Sequence, residues 1–407
     1  MFPVLYSILL VVSFCFGSVY VVEPLIVRYF AMLVLAAACL SERYLIPRNG
    51  YLWLYVIFIL FYAFTSFTQG YAEDFLKLFV GYYLNCFLWI WATWILIVKY
   101  RATHVLIYSF LAICLMNALI TIGQHFLNPI AFSIPRALDV MGVDKMDSMI
   151  EKSDDVVKEF ALPGLMGPFQ NGYYAAVGCV VSLYMFARNK KWLWLALWPL
   201  FLYALFCVGE RAALVGGLAF SVLYLVKVVS SSRSSFVLAI FVCLLGGMFF
   251  YLPGNDLDMS SAIEGTRYES FDFDSRTGIY SKAVNYIILN PMTANMFDFN
   301  QQTNLYPHHL IYNAFICGTF VGGIIILGVL GVISLKVLRI LMGPLTEQNK
   351  TLVMLAFAFF CYNMVSFTHN NSIVTGDVLF WLITTPMLVH FNYSRQSKAN
   401  IIRSLHL

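Results

Sequence analysis

Between Asp272 and Gly318 a polar stretch carries Ser275-Arg276-Thr277-Gly278, then Asn290-Pro291, then Tyr306-Pro307-His308-His309. A guanidinium forks onto two oxygens of a phosphate. A neutral imidazole near pH 7 takes a proton from a hydroxyl. Arg276 with His308 therefore suits a reaction in which an anionic group leaves and an alcohol attacks. A second arginine, Arg211, stands in Gly209-Glu210-Arg211-Ala212-Ala213-Leu214, where a long apolar run opens. Glu210 beside it is a reserve base, and His309 is a second imidazole next to the first.

The local pattern says how these groups are held. Ser275 is a predicted N-cap and Asn290-Pro291 a predicted stop. Ile279, Ala283, Tyr286 and Ile287 recur between them at helical spacing. An amphipathic helix lying at a membrane surface follows, with Arg276 in its first turn, where free N–H groups already favour anions. Arg211 marks a helix start in the same way. Two arginines near positive helix ends on one membrane face would hold a diphosphate between them.

Plainer roles compete at each position. Arg211 also reads as an interfacial arginine snorkelling beside Glu210, and either histidine as a helix cap. Arg267 lies among Glu264, Glu269, Asp272 and Asp274, as a local ion-pair partner or a substrate contact. His369, in Thr368-His369-Asn370-Asn371, and Asn171, at the end of the first long loop, are further candidate substrate contacts. No His, Asp or Glu cluster has metal-ligand spacing. There is no Walker loop and no Gly-x-Ser-x-Gly elbow, so neither a metal nor a cofactor is expected.

The elements that must position these residues are almost wholly apolar. Of 407 residues, 61% are hydrophobic and 11% charged, a balance for a multi-span membrane protein. The apolar runs are far longer than porin strands. The expected fold is an all-α integral membrane protein, one polytopic domain over 1–407. Twelve spans are predicted near 3–22, 24–40, 51–68, 76–98, 104–124, 172–188, 192–208, 211–228, 235–253, 309–338, 351–368 and 373–391. The cysteines all fall within these spans, and none sits in a Cys-x-x-Cys pair, so they read as small packing residues. The first span lacks a basic leader and a cleavage site, and is expected to be retained.

Basic residues set the expected orientation. With the N-terminus inside, the inner connections collect Arg43, Arg48, Lys99, Arg101, Arg188, Lys190, Lys191, Lys227, Arg233, Lys336, Arg339, Lys350, Arg395, Lys398 and Arg403, against two acids, Glu42 and Glu347. The positive-inside rule then predicts both termini inside. Two large outer loops remain, 125–171 and 253–308, the second carrying the arginine and histidine motifs. The net charge of +4 conceals this polarity and implies no nucleic-acid partner.

Taken in order, four motifs resemble those of the O-antigen polymerase and O-antigen ligase superfamily of membrane glycosyltransferases. Gly167-Pro168-Phe169-Gln170-Asn171 is similar to its glycine–asparagine element, and Gly209 to Leu214 to its arginine motif with small residues. Ser275-Arg276 through Asn290-Pro291 resembles its second arginine motif. Tyr306-Pro307-His308-His309 with Gly318 resembles its Pro-His-Asn motif and following glycine. The likeness covers about residues 160 to 340. It departs in two places: His309 replaces the asparagine, and Met292-Thr293-Ala294-Asn295 replaces a Gly-x-Gly.

The resemblance implies a GT-C-like membrane fold in the bacterial inner membrane, with a periplasmic site. It implies metal-independent, inverting transfer of a glycan from undecaprenyl diphosphate to a sugar hydroxyl. The acceptor is a second lipid-linked repeat unit in a polymerase, the reading favoured by the compact interval from Arg276 to His308, or lipid A core in a ligase. Membrane lipids and a chain-length regulator are implied partners. A lipid-linked oligosaccharide flippase or transporter is the alternative from another class. Against it stand spans nearly free of charge and polar residues gathered at one face.

Overall fold

The computed structural model describes residues 1–15, 24–42, 47, 49–126, 130–131, 162, 164–165, 171–209, 211–230, 239–240, 273–305, 307, 309–347, 349–367, 373–374 and 376–392. Among them there is no strand. Helices run over Phe2–Cys15 (α1), Pro24–Ser41 (α2), Gly50–Thr68 (α3), Ala72–Val98 (α4), Thr103–His125 (α5), Asn171–Asn189 (α6), Trp192–Val208 (α7) and Arg211–Val229 (α8). Phe273–Leu289 (α9), Met296–Thr303 (α10), Leu310–Met342 (α11), Lys350–Phe367 (α12) and Val378–Asn392 (α13) follow. A helix satisfies its own backbone polar groups, which is what a segment in hydrocarbon requires.

Among the described residues, five helices are long and apolar enough to cross a membrane: Gly50–Thr68, Ala72–Val98, Thr103–His125, Ala212–Val229 and Leu310–Met342. Shorter apolar helices stand beside them, among them Phe2–Phe14, Trp192–Val208 and Val378–Asn392. The predicted span 235–253 apart from 239–240, most of the loop 125–171, and residues 253–272 of the second loop lie outside the described residues.

The bundle is organised around α6, whose residues Asn171 to Met185 are all buried. Small residues allow this. A Cβ on Gly178 would meet the Phe201 ring of α7 at 3.1 Å, and one on Gly217 of α8 would lie 2.6 Å from Leu205. Close backbone approach at small residues is how apolar helices gain contact when lipid removes the hydrophobic drive.

Polar contacts join helix ends. Lys227 Nζ at the end of α8 donates to the Gly343 carbonyl just past α11 at 2.7 Å. Lys336 of α11 lies 4.9 Å from the Tyr51 ring centre at the start of α3 and 5.3 Å from that of Phe391 at the end of α13. Tyr184 near the end of α6 shares a 2.8 Å hydrogen bond with Thr351 at the start of α12. Lys99, after α4, pairs with Glu42, after α2, at 2.5 Å. That contact holds the Glu42 carboxyl below its usual range. Further along α4, Tyr83 Oη donates to the Val374 carbonyl ahead of α13 at 2.7 Å.

Two predicted elements are corrected. The helix bearing Arg276 begins at Phe273, so Ser275 lies inside it and is not its N-cap; Leu289 ends it, with Asn290-Pro291 as the stop. The predicted single span 309–338 is a broken helix. Thr319 sits at φ 60°, ψ −173°, and interrupts α11. A Cβ on Gly323 would come within 3.0 Å of the Phe315 Cα. Eight residues of straight helix would separate them by about 12 Å. The chain thus turns sharply at Thr319, and the stretch 320–342, about 34 Å long, remains sufficient to cross hydrocarbon.

Candidate functional site

His309 is the best-defined of the predicted site residues. Its N–H donates to the Pro307 carbonyl at 2.5 Å, a three-residue turn that leads the chain into α11. Its own carbonyl receives the Asn313 N–H at 3.1 Å, so it stands at the helix head, half-buried. Tyr280 of α9 meets its ring edge-on at 5.4 Å, and Tyr312 lies over it at 4.8 Å. The two tyrosines are 5.1 Å apart, which completes a three-ring cluster. Burial pushes the His309 imidazole below its usual range, which favours the neutral, proton-accepting form at pH 7.

Tyr280 also fixes α9 relative to α11. Arg276 precedes Tyr280 by four residues on the same helix, one turn away along the axis. Ala283 and Tyr286 continue the buried side of α9, while Ile288, Leu289 and Met292 are exposed at its far end. The predicted apolar spacing is therefore borne out at Ala283 and Tyr286. The side chains of Arg276 and Arg211 lie outside what the structure describes. Arg211 is the first residue of α8, two residues after Gly209, which ends α7 in the left-handed conformation at φ 75°. His308, Glu210, Arg267 and His369 lie outside the described residues.

The loop from α9 to α10 is closed without the glycines that the resemblance leads one to expect there. The Asn290 carbonyl accepts from Thr293 N–H at 3.3 Å and Ala294 N–H at 2.8 Å. Asn295 caps α10 by accepting the Phe297 N–H at 2.8 Å, and its amide donates to Ser66 Oγ at 2.9 Å. Tyr286 Oη donates to Asp298 at 2.6 Å. Burial, with this carboxylate second, raises the tyrosine's pKa. Gln69 donates to the Thr293 carbonyl. Most telling, the Phe320 N–H freed by the break in α11 donates to the Pro291 carbonyl at 2.8 Å. The end of the arginine-bearing segment is thus bonded to the broken helix that carries His309 at its head.

Asn171 belongs to a second, saturated network. Its Oδ1 accepts from Asn117 Nδ2 at 2.6 Å and Thr121 Oγ1 at 3.0 Å, and its Nδ2 donates to the Leu162 carbonyl at 2.7 Å. Gln124 Oε1 accepts the Gly164 N–H at 2.9 Å, and Asn117 Oδ1 accepts the Leu165 N–H at 2.9 Å. These bonds tie Gly164 and Leu165 to α5 and Leu162 to the start of α6, and they occupy the Asn171 amide within the protein. A third group caps α13: Asp377 accepts from Tyr362 Oη at 2.7 Å and from Leu379 N–H at 2.8 Å.

Sequence reasoning missed Asn117, Thr121 and Gln124. Their signal was present, since polar residues at i, i+4 and i+7 near the end of an apolar run share one helix face. It also missed Tyr280, which reads as one aromatic among many, and Asn313, which is buried in α11. Among the described residues no cluster of His, Cys, Asp and Glu could hold a metal ion. Compared with known proteins, the chain matches no family model and no curated relative.

Proposed function

We propose that this chain is a membrane glycosyltransferase. It transfers a glycan from undecaprenyl diphosphate to a sugar hydroxyl of a second lipid-linked repeat unit at the outer face of a bacterial inner membrane. The observation that carries this reading is the docking of α9 onto the head of α11, which holds the segment of Arg276 within a helical turn of the Tyr280–His309–Tyr312 cluster. The join of α8 to α11 at Lys227 and Gly343 supports placing Arg211 with them. Both helices end at that junction, so Arg211 and Thr319, from which the crossing part of α11 starts, lie toward the other end.

The chemistry is a single displacement. The acceptor oxygen attacks the anomeric carbon, and its proton passes to an imidazole, His308 with His309 as the alternative. The bond from that carbon to the diphosphate breaks, and the electron pair leaves on the diphosphate. Arg211 and Arg276 stabilise the charge that develops there. Inversion at the anomeric carbon follows from one backside attack. Twelve spans with both termini inside put this end of the bundle in the periplasm.

Reconstitution with the lipid-linked repeat unit alone tests the reading. A product ladder is expected, and it should vanish in Arg211→Ala, Arg276→Ala and one of His308→Ala or His309→Ala. Arg276→Lys should recover little, because lysine lacks the fork. Transfer only on adding lipid A core would make the chain a ligase. Lipid translocation without transfer would replace the enzyme reading with a flippase.

A further inference from the structure

Asn313 lies one turn into α11 from His309, joined to it by the 3.1 Å backbone hydrogen bond. Its side chain is fully buried, yet among the described residues neither its amide nitrogen nor its amide oxygen has a hydrogen-bond partner. Native structures satisfy nearly all buried polar groups, so an unanswered one calls for an explanation. Helix formation does not supply it, because asparagine is a poor helix former. Nor does packing, which leucine would serve as well in a run otherwise filled by Leu310, Ala314, Ile316 and Cys317.

The amide presents a donor and an acceptor side by side. A phosphate oxygen could answer only the donor. A hydroxyl answers both, giving its proton to Oδ1 and accepting from Nδ2. One turn away stand the three rings of Tyr280, His309 and Tyr312, with centres 4.8–5.4 Å apart. Such rings offer apolar faces to the C–H side of a sugar while the tyrosine hydroxyls stay polar. The ring cluster and the unmatched amide, on neighbouring turns at the head of α11, together suit a neutral polyhydroxyl group.

We propose that Asn313 is a specificity-determining residue of a saccharide subsite, hydrogen-bonding a sugar hydroxyl of the lipid-linked glycan beside the ring cluster of Tyr280, His309 and Tyr312. The proposal rests on the glycan-transfer reading and adds to it which residue reads the sugar rather than the diphosphate.

The test uses the full chain in lipid nanodiscs and two probes. One is undecaprenyl diphosphate, and the other is the same lipid carrying the repeat unit, isolated from the native host. Wild type should bind both, the glycosylated lipid more tightly. Asn313→Leu should weaken the glycosylated lipid by about tenfold, the ratio equivalent to one hydrogen bond between neutral groups. It should leave the bare lipid unchanged. Its thermal midpoint should equal or exceed that of wild type, because the unmatched amide is gone. Asn313→Ala, which removes the amide without adding bulk, should show the same selective loss. If both variants bind both lipids as wild type does, a water answers the amide and the inference is overturned. If both variants unfold at lower temperature and lose both lipids together, Asn313 is structural and the inference is again overturned. If wild type binds neither lipid, the glycan-transfer reading itself falls and takes the subsite with it.

Discussion

At the scale of single residues, Gly164 shows how closely a backbone can be drawn onto side-chain amides. Its φ is 54°, and a Cβ there would stand 2.5 Å from Asn117 Oδ1, 2.7 Å from Thr121 Oγ1 and 2.9 Å from Asn171 Cγ. Gly164→Ala combines left-handed strain of roughly 1–2 kcal/mol with overpacking of roughly 1–3 kcal/mol. It should therefore lower stability by about 2 kcal/mol or more, read as a fall in Tm of the reconstituted protein. Gly278 in α9 is the control. Nothing lies within 4 Å of its Cβ position, so Gly278→Ala should hold or raise Tm by the helix preference of alanine, about 1 kcal/mol. Equal Tm for Gly164→Ala and wild type would refute the account of the amide network. Asn171 was legible as a residue of interest from its place ahead of an apolar run. Its partners were not, because Asn117, Thr121 and Gln124 are separated from it by about fifty residues of chain and come together only when α5 packs on α6.

At the scale of elements, α11 carries the clearest departure from what its composition predicts. A run from Leu310 to Met342 of nearly unbroken apolar residues reads as one span, and hydropathy has no term for a single interrupting dihedral pair. The break falls on Thr319, a β-branched residue in a backbone region open almost only to glycine. Gly318 just before it, whose Cβ would lie 2.6 Å from the Phe58 ring of α3, is required for helix approach instead. Thr319→Gly should relieve strain of roughly 1–3 kcal/mol against roughly 0.4–1 kcal/mol of added chain entropy in the unfolded state. A net gain of about 1 kcal/mol is expected as a rise in Tm, whereas Thr319→Val should bring none. A loss of stability in Thr319→Gly would show that the hydroxyl, not the strain, governs this position. The helix at α9 was legible in type and in its end at Asn290-Pro291. Its start was not, because Phe273 and Asp274 continue a helix as readily as Ser275 begins one.

At the scale of the whole molecule, the gathering of basic residues at one set of helix ends was the most legible property, because it is written in connections rather than in packing. Lys99, Lys227 and Lys336 all meet partners at helix ends, while Asn295, Asp298 and Asp377 organise the opposite ends. The crossing helices were legible in number only where length and hydropathy are both high; the shorter ones depend on neighbours for burial. Single cysteines at Lys191, after α6, and at Gln302, in α10, are exposed and lie toward opposite ends. The native Cys39, Cys86, Cys114, Cys179, Cys207, Cys317 and Cys361 are all buried. A membrane-impermeant maleimide added to intact spheroplasts should label Gln302→Cys and spare Lys191→Cys until the membrane is opened. The reverse pattern would invert the molecule and remove the periplasmic reading.

The hydrogen bond from Phe320 to the Pro291 carbonyl also limits how these parts can move. The break in α11 leaves the Phe320 N–H without an acceptor in its own helix, so parting the two stretches of chain would cost that hydrogen bond, about 0.5–1.5 kcal/mol. The surface segment and the upper end of the crossing helix are therefore latched, and they shift as one lever or not at all.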